Sequence, residues 1–445
     1  MNKDDLILIS VDDHMVEPPD VFEGRLPKKY VEDAPRVVRV PEGDHRWIYD
    51  DIVVPNFGLN AVAGRPPEEY GMDPNSYEDI RVGTYNVHER VKDMSANGVL
   101  ASLNFPTFPR FAGQVFAEHA DRDPDRAYWM VRAYNDWHVD GWCGEYPDRF
   151  VPCGITPLWD PELQAKEVRR LAEKKCHAVT FSENPYKLGY PSLHSDHWDP
   201  FWAACEESKT VVCLHLGSSS QLHMTAPDAP FTVQITGTGI SLFDCASDLV
   251  WSPIFKKFPD LKFSLSEGGI GWIPYFLERV DYTYTHHKAW TGADFGDRMP
   301  SDVFKSNVIT CFIDDHFGVA NVETIGADMV TWECDYPHSD SSWPNSPEHL
   351  WSHFEGQSLS ENVINKITHE NVMRLYSFDP YSTRPREKCT ARALRAEVPG
   401  HDVSVVSRAI HRGPKATTFG EYIELAKGMN NQTEGFAEEA FTVRR

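Results

Sequence analysis

Eight short apolar segments, separated by stretches with helical periodicity, constrain the fold of this chain more than any other feature. They are apolar throughout rather than alternating, which is typical of strands buried on both faces of a parallel sheet. The segments span residues 6–11, 99–105, 151–156, 178–181, 211–216, 261–265, 308–313 and 329–332. Eight such strands with helices between them predict an α/β fold, a (β/α)8 TIM barrel.

Apolar residues recur at helical spacing between several of these strands. The patterns run through residues 130–137, 165–172 and 273–284, and each gives a helix one apolar face. A doubly wound open sheet is the structural alternative, but no glycine-rich phosphate loop follows the first strand. The barrel is therefore the predicted architecture.

Three stretches exceed a minimal barrel. Residues 18–90 are proline-rich and polar, residues 217–240 are rich in Ser, Thr, Gly and Pro, and residues 386–445 are charged and irregular. Long loops in compact domains usually serve as lids or interface arms. We therefore predict a barrel over residues 1–385, carrying two long insertions, and a C-terminal extension over residues 386–445 that wraps either the body of the protein or, as an interface arm, a partner subunit.

Composition and charge narrow the partners and the compartment. The 445 residues carry a formal net charge of −24, which would repel nucleic acid. No apolar run approaches the ~18 residues of a membrane helix, and the acidic N-terminus is unlike a signal peptide, so we expect a cytoplasmic protein. The nine cysteines form no CxxC pair and are expected to be reduced and buried. The 13 Trp and 17 Tyr suggest a subunit interface, hence a homo-oligomer or a hetero-oligomer with a paralogous subunit.

Side chains of metal-ligand type occupy the ends of four predicted strands, where the active site of a barrel lies. The candidate ligands are Asp12, His14 and Glu17 after strand one, His215 after strand five, Glu267 after strand six, and Asp335 and His338 after strand eight. Residues i and i+2 of a strand share a face, so Asp12 and His14 can converge on one ion. Strands one and eight become neighbours when the barrel closes, which brings in Asp335.

Each of these residues also has a structural interpretation. Asp12 is a candidate helix cap, His215 a candidate core histidine, and Glu267 a candidate anion at a helix N-terminus. Their joint placement at one end of the barrel favours a metal site instead. Within that site we expect Asp335, His215 and Glu267 to be catalytic.

The same strand ends, with the stretches 335–338 and 371–376, resemble the amidohydrolase-related family, in the superfamily that includes aminocarboxymuconate-semialdehyde decarboxylase. The resemblance covers residues about 5–380. It implies His-x-His on strand one, histidines after strands five and six, and an aspartate after strand eight. Here Asp12 and Glu267 stand in place of two of those histidines. No lysine ends strand four, so no carbamate bridge between metals is expected.

The two replacements shift the expected donor set from imidazole toward carboxylate. Mixed carboxylate and imidazole sites suit manganese or iron, whereas imidazole-rich tetrahedral sites suit zinc. With Glu17 and His338 as further donors, we expect one or two divalent ions, iron or manganese in preference to zinc. The segments DDHxxE, SEGG and CDYPH also look similar to a branch of oxygen-activating enzymes such as the 2-aminoisobutyrate hydroxylase system.

Three functions follow from these features. The first is a metal-dependent hydrolase or decarboxylase of a small organic substrate, in which the metal activates water or a substrate oxygen and Asp335 is a ligand and a general base. The second is a non-haem iron or manganese–iron oxygenase with the same ligands. The third is a non-catalytic barrel subunit that supports a paralogous partner. The substrate itself is set by the loops that line the pocket.

Overall fold

A ring of eight parallel strands forms the centre of the molecule, in a computed structural model that describes residues 1–40, 43–50, 52–54, 57–72, 74–221, 223–408, 416–418, 420–424 and 441–442. One parallel sheet contains the first three strands and another contains the last five, in chain order. The eight are β1 (Ile9–His14), β5 (Ala101–Phe105), β6 (Phe150–Val151), β7 (Ala178–Ser182), β8 (Val211–His215), β9 (Phe263–Ser266), β10 (Val308–Phe312) and β11 (Val330–Trp332).

Backbone contacts join the two sheets at both edges. A parallel bridge links Gly154 to Val179 between the third and fourth strands. At the other edge, the Asp335 N–H donates to the Asp12 carbonyl (2.8 Å) and the His14 N–H donates to the Tyr336 carbonyl (2.7 Å). The predicted alternation of parallel strands and helices is thus confirmed, with the strands in barrel order.

Two strands have boundaries that lie three or more residues from the predicted ones. The third strand, predicted over residues 151–156, is regular only over Phe150–Val151, because Pro152 has no N–H to donate, and beyond it the chain pairs through the Gly154 bridge. The first strand starts at Ile9 and runs on to His14, which pairs with Phe105. The polar end of β1 is therefore inside the sheet.

Sixteen α-helices that begin and end within the described ranges surround or extend the ring. They are α1 (Val87–Asn97), α2 (Gln114–Ala120), α3 (Pro124–Asp136), α4 (Pro161–Glu173), α5 (Asp199–Glu207), α6 (Phe231–Thr236), α7 (Ile240–Trp251), α8 (Ile254–Lys257), α9 (Ile273–Thr291), α10 (Pro300–Asn307), α11 (His316–Ala320), α12 (Val322–Ile325), α13 (Ser346–Phe354), α14 (Glu361–Asn365), α15 (Asn371–Leu375) and α16 (Ala391–Glu397). In α4, the Asp160 side chain caps the N-terminus, and Ala165, Val168 and Leu171 form the buried face. None of the described helices combines the length and apolarity needed to cross a membrane.

The first insertion builds a small antiparallel sheet of its own. It contains β2 (Arg36–Arg39), β3 (His45–Tyr49) and β4 (Ile52–Val54), and β12 (Phe441–Thr442) pairs with β2. Trp47 of this sheet stacks on Phe108 beside the barrel, with ring centroids 4.3 Å apart. The second insertion contains α6. Whether either insertion acts as a lid stays a prediction.

The described part of the C-terminal extension packs on the barrel. Arg395 of α16 forms two hydrogen bonds with Glu348 of α13, each 2.8 Å, and His401 Nε2 lies 2.7 Å from Asp93 Oδ1 of α1. Residues 409–415, 425–440 and 443–445 lie outside the described residues. The interface-arm role therefore stays a prediction, while the expectation of buried, unpaired cysteines is confirmed for all nine.

Candidate metal centre

Strand alternation places two candidate ligands together at the end of β1. Asp12 and His14 face the same side, with His14 Nε2 3.3 Å from Asp12 Oδ1. The intervening Asp13 faces the other way, accepts a hydrogen bond from Ser10 Oγ (2.9 Å) and pairs with Arg90 (3.5 Å). Both β1 carboxylates are buried, but only that of Asp13 has a cationic partner of its own.

Three further strand ends complete the cluster. His215 Nε2, at the end of β8, lies 3.4 Å from Asp12 Oδ2 and 3.1 Å from His14 Nε2. It also lies 3.5 Å from Glu267 Oε2, which follows β9. Asp335, after β11, places Oδ1 3.4 Å from His14 Nε2. The structure thus brings five of the predicted residues together.

His338 joins the cluster from the edge. Its Nδ1 lies 2.9 Å from Asp335 Oδ1, and its ring stacks on that of His14 with centroids 3.9 Å apart. Two groups of side chains, one containing Asp12, His14 and His215 and the other His14, Asp335 and His338, have ligand atoms within 4.8 Å of one another. His14 belongs to both groups and is the geometric centre of the site.

The hydrogen-bond roles at His215 show that this cluster fits a cation. Its Nδ1 lies 2.6 Å from the Leu216 carbonyl, which only accepts, so Nδ1 carries the proton. Burial lowers the pKa of His215 to about 3, which keeps the ring neutral and leaves a lone pair on Nε2. That lone pair faces carboxylate oxygens of Asp12 and Glu267. These three atoms are all hydrogen-bond acceptors and would repel one another at these distances. A divalent cation bound between them would remove that repulsion.

Unpartnered buried oxygens lead to the same interpretation. Both carboxylate oxygens of Asp12 and Oδ2 of Asp335 are buried without a hydrogen-bond donor among the described residues. A buried carboxylate without a partner is costly, and in native proteins it is usually paired or bound to a metal. Burial, together with neighbouring carboxylates, raises the pKa of Asp12 and of Asp335 well above the ordinary value. The donors Asp12, His14, His215 and Asp335 therefore fit a divalent ion.

Backbone conformation at two of these residues is unusual. Glu267 (φ 64°) and Asp335 (φ 59°) both adopt left-handed conformations that side chains with a Cβ rarely take. Such residues cost of order 1–3 kcal/mol each and cluster at functional sites. At both strand ends this turn aims the carboxylate back into the ring.

The structure places Glu17 in a different set of contacts. Its carboxylate accepts hydrogen bonds from the backbone N–H groups of Thr107 (3.0 Å) and Phe108 (2.8 Å) and from the Tyr134 hydroxyl (2.8 Å). Burial raises the pKa of Glu17 to about 7, while these donors oppose the rise. Glu17 thus anchors the loop after β5 to α3, and these contacts give no support to its predicted role as a ligand.

Glu333 is a functional candidate that the sequence reasoning missed. It is fully buried one residue beyond β11, and its Oε2 accepts a hydrogen bond from the Glu267 N–H (3.2 Å). Burial raises the pKa of Glu333 to about 7, although Cys311 and the Glu267 backbone lower it. The signal available in the sequence was a glutamate that directly follows the apolar segment 329–332.

A cavity of about 670 Å³ lies beside this cluster and shares Glu267 with it. Phe243 and Trp272 contribute aromatic surface to its wall. Its charged lining consists of the carboxylates of Glu267, Asp314, Glu333 and Asp340, and no lysine or arginine is among the described residues that line it. The cavity therefore presents an aromatic wall and many hydrogen-bond acceptors.

Comparison with known proteins relates this site to a family. The model of the amidohydrolase family matches residues 86–378. A γ-resorcylate decarboxylase from Polaromonas sp. (strain JS666) is 26% identical over 318 residues, which cover 65% of this chain and 87% of that protein.

Two solved structures share the fold. An amidohydrolase from Mycobacterium avium subsp. paratuberculosis K-10 superposes with a TM-score of 0.65 at 21% identity, covering 83% of this chain and 98% of its own. A 5-carboxyvanillate decarboxylase from Novosphingobium aromaticivorans, complexed with manganese and 4-hydroxy-3-methoxy-5-nitrobenzoic acid, gives a TM-score of 0.57 at 19% identity, covering 85% and 99%. Both likenesses concern the barrel that carries the site.

Proposed function

This chain belongs to the amidohydrolase family, and from that membership we propose that it is a manganese-dependent decarboxylase of a small hydroxylated aromatic acid. The observation that carries the proposal is the cluster of buried acceptor atoms around His14, together with a cavity that has an aromatic wall and shares Glu267 with the cluster. The γ-resorcylate decarboxylase and the manganese-containing 5-carboxyvanillate decarboxylase described above support the reaction type.

Four residues would hold the metal. Asp12 and Asp335 supply oxygen donors, and His14 and His215 supply nitrogen donors, a mixed set that suits manganese or iron better than zinc. We assign one ion per chain, because His14 Nε2 lies within 3.4 Å of Asp12, His215 and Asp335 alike. When bound, the ion supplies a Lewis acid that holds oxygen atoms of the substrate.

The cavity lining indicates the substituents of the substrate. A carboxylate accepts hydrogen bonds and does not donate when ionised. Ring hydroxyl groups would donate to Glu267, Glu333 or Asp340, whereas a second carboxylate on the ring would be repelled by them. Phe243 and Trp272 offer the aromatic surface on which a ring packs. We therefore infer a substrate with a single carboxylate and one or more hydroxyl groups.

Decarboxylation requires a proton for the ring carbon. The bond between that carbon and the carboxylate breaks, carbon dioxide leaves, and a proton takes its place. Asp335 is the proposed donor, and His338 Nδ1, 2.9 Å from its Oδ1, is placed to share that proton. Glu267 and Glu333 are placed to orient the ring hydroxyl groups, and solvent returns the proton to Asp335.

Three other functions are the alternatives, and the comparison with known proteins gives no support to the oxygenase. The carboxylate-rich donors that favoured an oxygenase suit a manganese decarboxylase equally well. A supporting subunit without activity is disfavoured, because such a subunit would not need the four metal donors Asp12, His14, His215 and Asp335. A hydrolase would consume water and leave the carboxylate of the substrate intact, so the reaction products distinguish it from a decarboxylase.

A panel of aromatic acids tests the proposal. Manganese-loaded protein is incubated with 2,6-dihydroxybenzoate, 5-carboxyvanillate and unsubstituted benzoate, and the products are separated by liquid chromatography. We expect decarboxylation of a hydroxylated acid with one carboxylate, such as 2,6-dihydroxybenzoate, no reaction of the dicarboxylate 5-carboxyvanillate or of benzoate, and loss of activity in Asp335→Asn. Failure of every hydroxylated acid in a wider panel, with the metal fully bound, would refute the assignment.

A further inference from the structure

A second cluster of metal-ligand side chains lies at the edge of the cavity, outside the centre just described. Asp314 and His316 follow β10, and His349 and His353 lie on α13. Ligand atoms of Asp314, His316 and His353 lie within 4.8 Å of one another. Asp314 also lines the cavity, and its side chain is 62% exposed, so this cluster, which we call the rim cluster, faces solvent.

The contacts of His353 indicate which ring nitrogen donates. Its side chain is fully buried, and its Nδ1 lies 3.0 Å from the His349 carbonyl oxygen, so Nδ1 carries a proton. The Asp315 backbone N–H donates to Nε2 (3.1 Å). In this tautomer Nε2 accepts, and its lone pair is directed to the front of the cluster.

A carboxylate oxygen lies directly in front of that lone pair. Asp314 Oδ1 is 2.8 Å from His353 Nε2, although both atoms are acceptors in this arrangement. A proton on Nε2 would give Asp314 a hydrogen-bond donor. It would also place two N–H groups, those of His353 and of the Asp315 backbone, opposite each other. A cation beside the two atoms satisfies the carboxylate, the imidazole and the backbone donor together.

His316 completes a donor set of metal type. Its ring stacks on that of His353, with centroids 4.0 Å apart and planes at 10°. Two imidazoles and one carboxylate are donors typical of zinc and neighbouring divalent transition metals. His349 lies beside this set, with Nε2 3.5 Å from Asp314 Oδ2.

We propose that the rim cluster of Asp314, His316 and His353, with His349 beside it, is a second, solvent-accessible binding site for a divalent transition metal such as zinc. It is independent of the proposed reaction, because it shares no ligand with the centre around His14. An ion here would bind Asp314, one of the four carboxylates that line the cavity.

Zinc binding to the manganese-loaded protein tests this site. The protein is dialysed against excess zinc, and both metals are counted by mass spectrometry, so that replacement of manganese in the centre is distinguished from added zinc. The rim variant carries Asp314→Asn and His316→Ala, both at exposed positions. The matched control is His194→Ala, since His194 is an exposed histidine 3.1 Å from Asp248.

We expect wild type and the control to hold about one metal ion per chain more than the rim variant. Manganese plus zinc in the rim variant should fall to the content of the centre alone, with unchanged circular dichroism. Equal metal content in wild type and rim variant would overturn the proposal and leave His353 as a protonated partner of Asp314. Because the readout is metal content, it is unaffected by failure of the proposed decarboxylase activity.

Discussion

Replacing Glu17 by glutamine tests whether this buried carboxylate has a structural role or is a metal ligand. Glu17 is fully buried, and its pKa of about 7 compares with an ordinary value of 4.5. At 1.36 kcal/mol per pKa unit, the difference corresponds to about 3 kcal/mol. The folded protein binds this proton more tightly than the unfolded chain, so the contribution is present below about pH 4.5 and is lost as pH rises through about 7.

The change in unfolding free energy that Glu17 causes is best measured at pH values above the isoelectric point, where the protein carries a net charge. The sequence pI is about 5.2, so unfolding is best followed from about pH 6 to about pH 8.5. Over that window wild type should lose about 1.4 kcal/mol of stability through Glu17, and Glu17→Gln should not. The unfolding free energy of Glu17→Gln should also be lower than that of wild type by about 1–3 kcal/mol at every pH. The reason is that the glutamine amide cannot accept all three hydrogen bonds from Thr107, Phe108 and Tyr134.

Urea denaturation of both metal-free proteins measures the difference in unfolding free energy at each pH. Groups other than Glu17 titrate in both proteins and cancel in the comparison. Manganese content of the loaded proteins, measured in parallel, should be equal. Parallel pH profiles would refute the assigned pKa of Glu17, and loss of manganese in Glu17→Gln would refute its structural role.

Three further perturbations have defined outcomes. His215→Ala removes a nitrogen donor and should reduce bound manganese at least about tenfold after dialysis, as read by elemental analysis; full retention would place the ion elsewhere. Asp335→Asn should lower the turnover number at least about 100-fold by removing the proton donor, measured as product formation per bound manganese, and unchanged turnover would assign the proton to another group. Truncation after residue 385 removes the contacts of Arg395 and His401. It should lower the melting temperature or change the oligomeric state seen by light scattering, while manganese content stays the same. A truncated chain that loses manganese but keeps its stability and oligomeric state would contradict this.

Sequence periodicity was sufficient to predict the ring of strands and the residues at their ends. Alternation along β1 brings Asp12 and His14 to one side, and ring closure sets Asp335 beside them. The boundary of the third strand was predicted less well, because Pro152 interrupts its hydrogen bonding within an otherwise apolar run.

Contacts between distant segments were beyond sequence reasoning. Glu17 follows β1 as a ligand would, but its hydrogen-bond donors come from residues about 90 to 120 positions further along the chain. Glu333 looks like the end of an apolar strand, and only its burial beside Glu267 marks it as functional. The small sheet of β2–β4 lies in a proline-rich stretch whose composition favours loops over strands.

Deuterium incorporation tests the central claim most directly. Manganese-loaded protein is incubated in D2O with 2,6-dihydroxybenzoate or another hydroxylated acid that the panel identifies as a substrate, and the product is examined by NMR. Decarboxylation predicts one deuterium on the ring carbon that carried the carboxylate, one carbon dioxide released per product and no oxygen consumed. A product that gains oxygen instead, or one hydrolysed with its carboxylate intact, would contradict the assignment of this centre to decarboxylation.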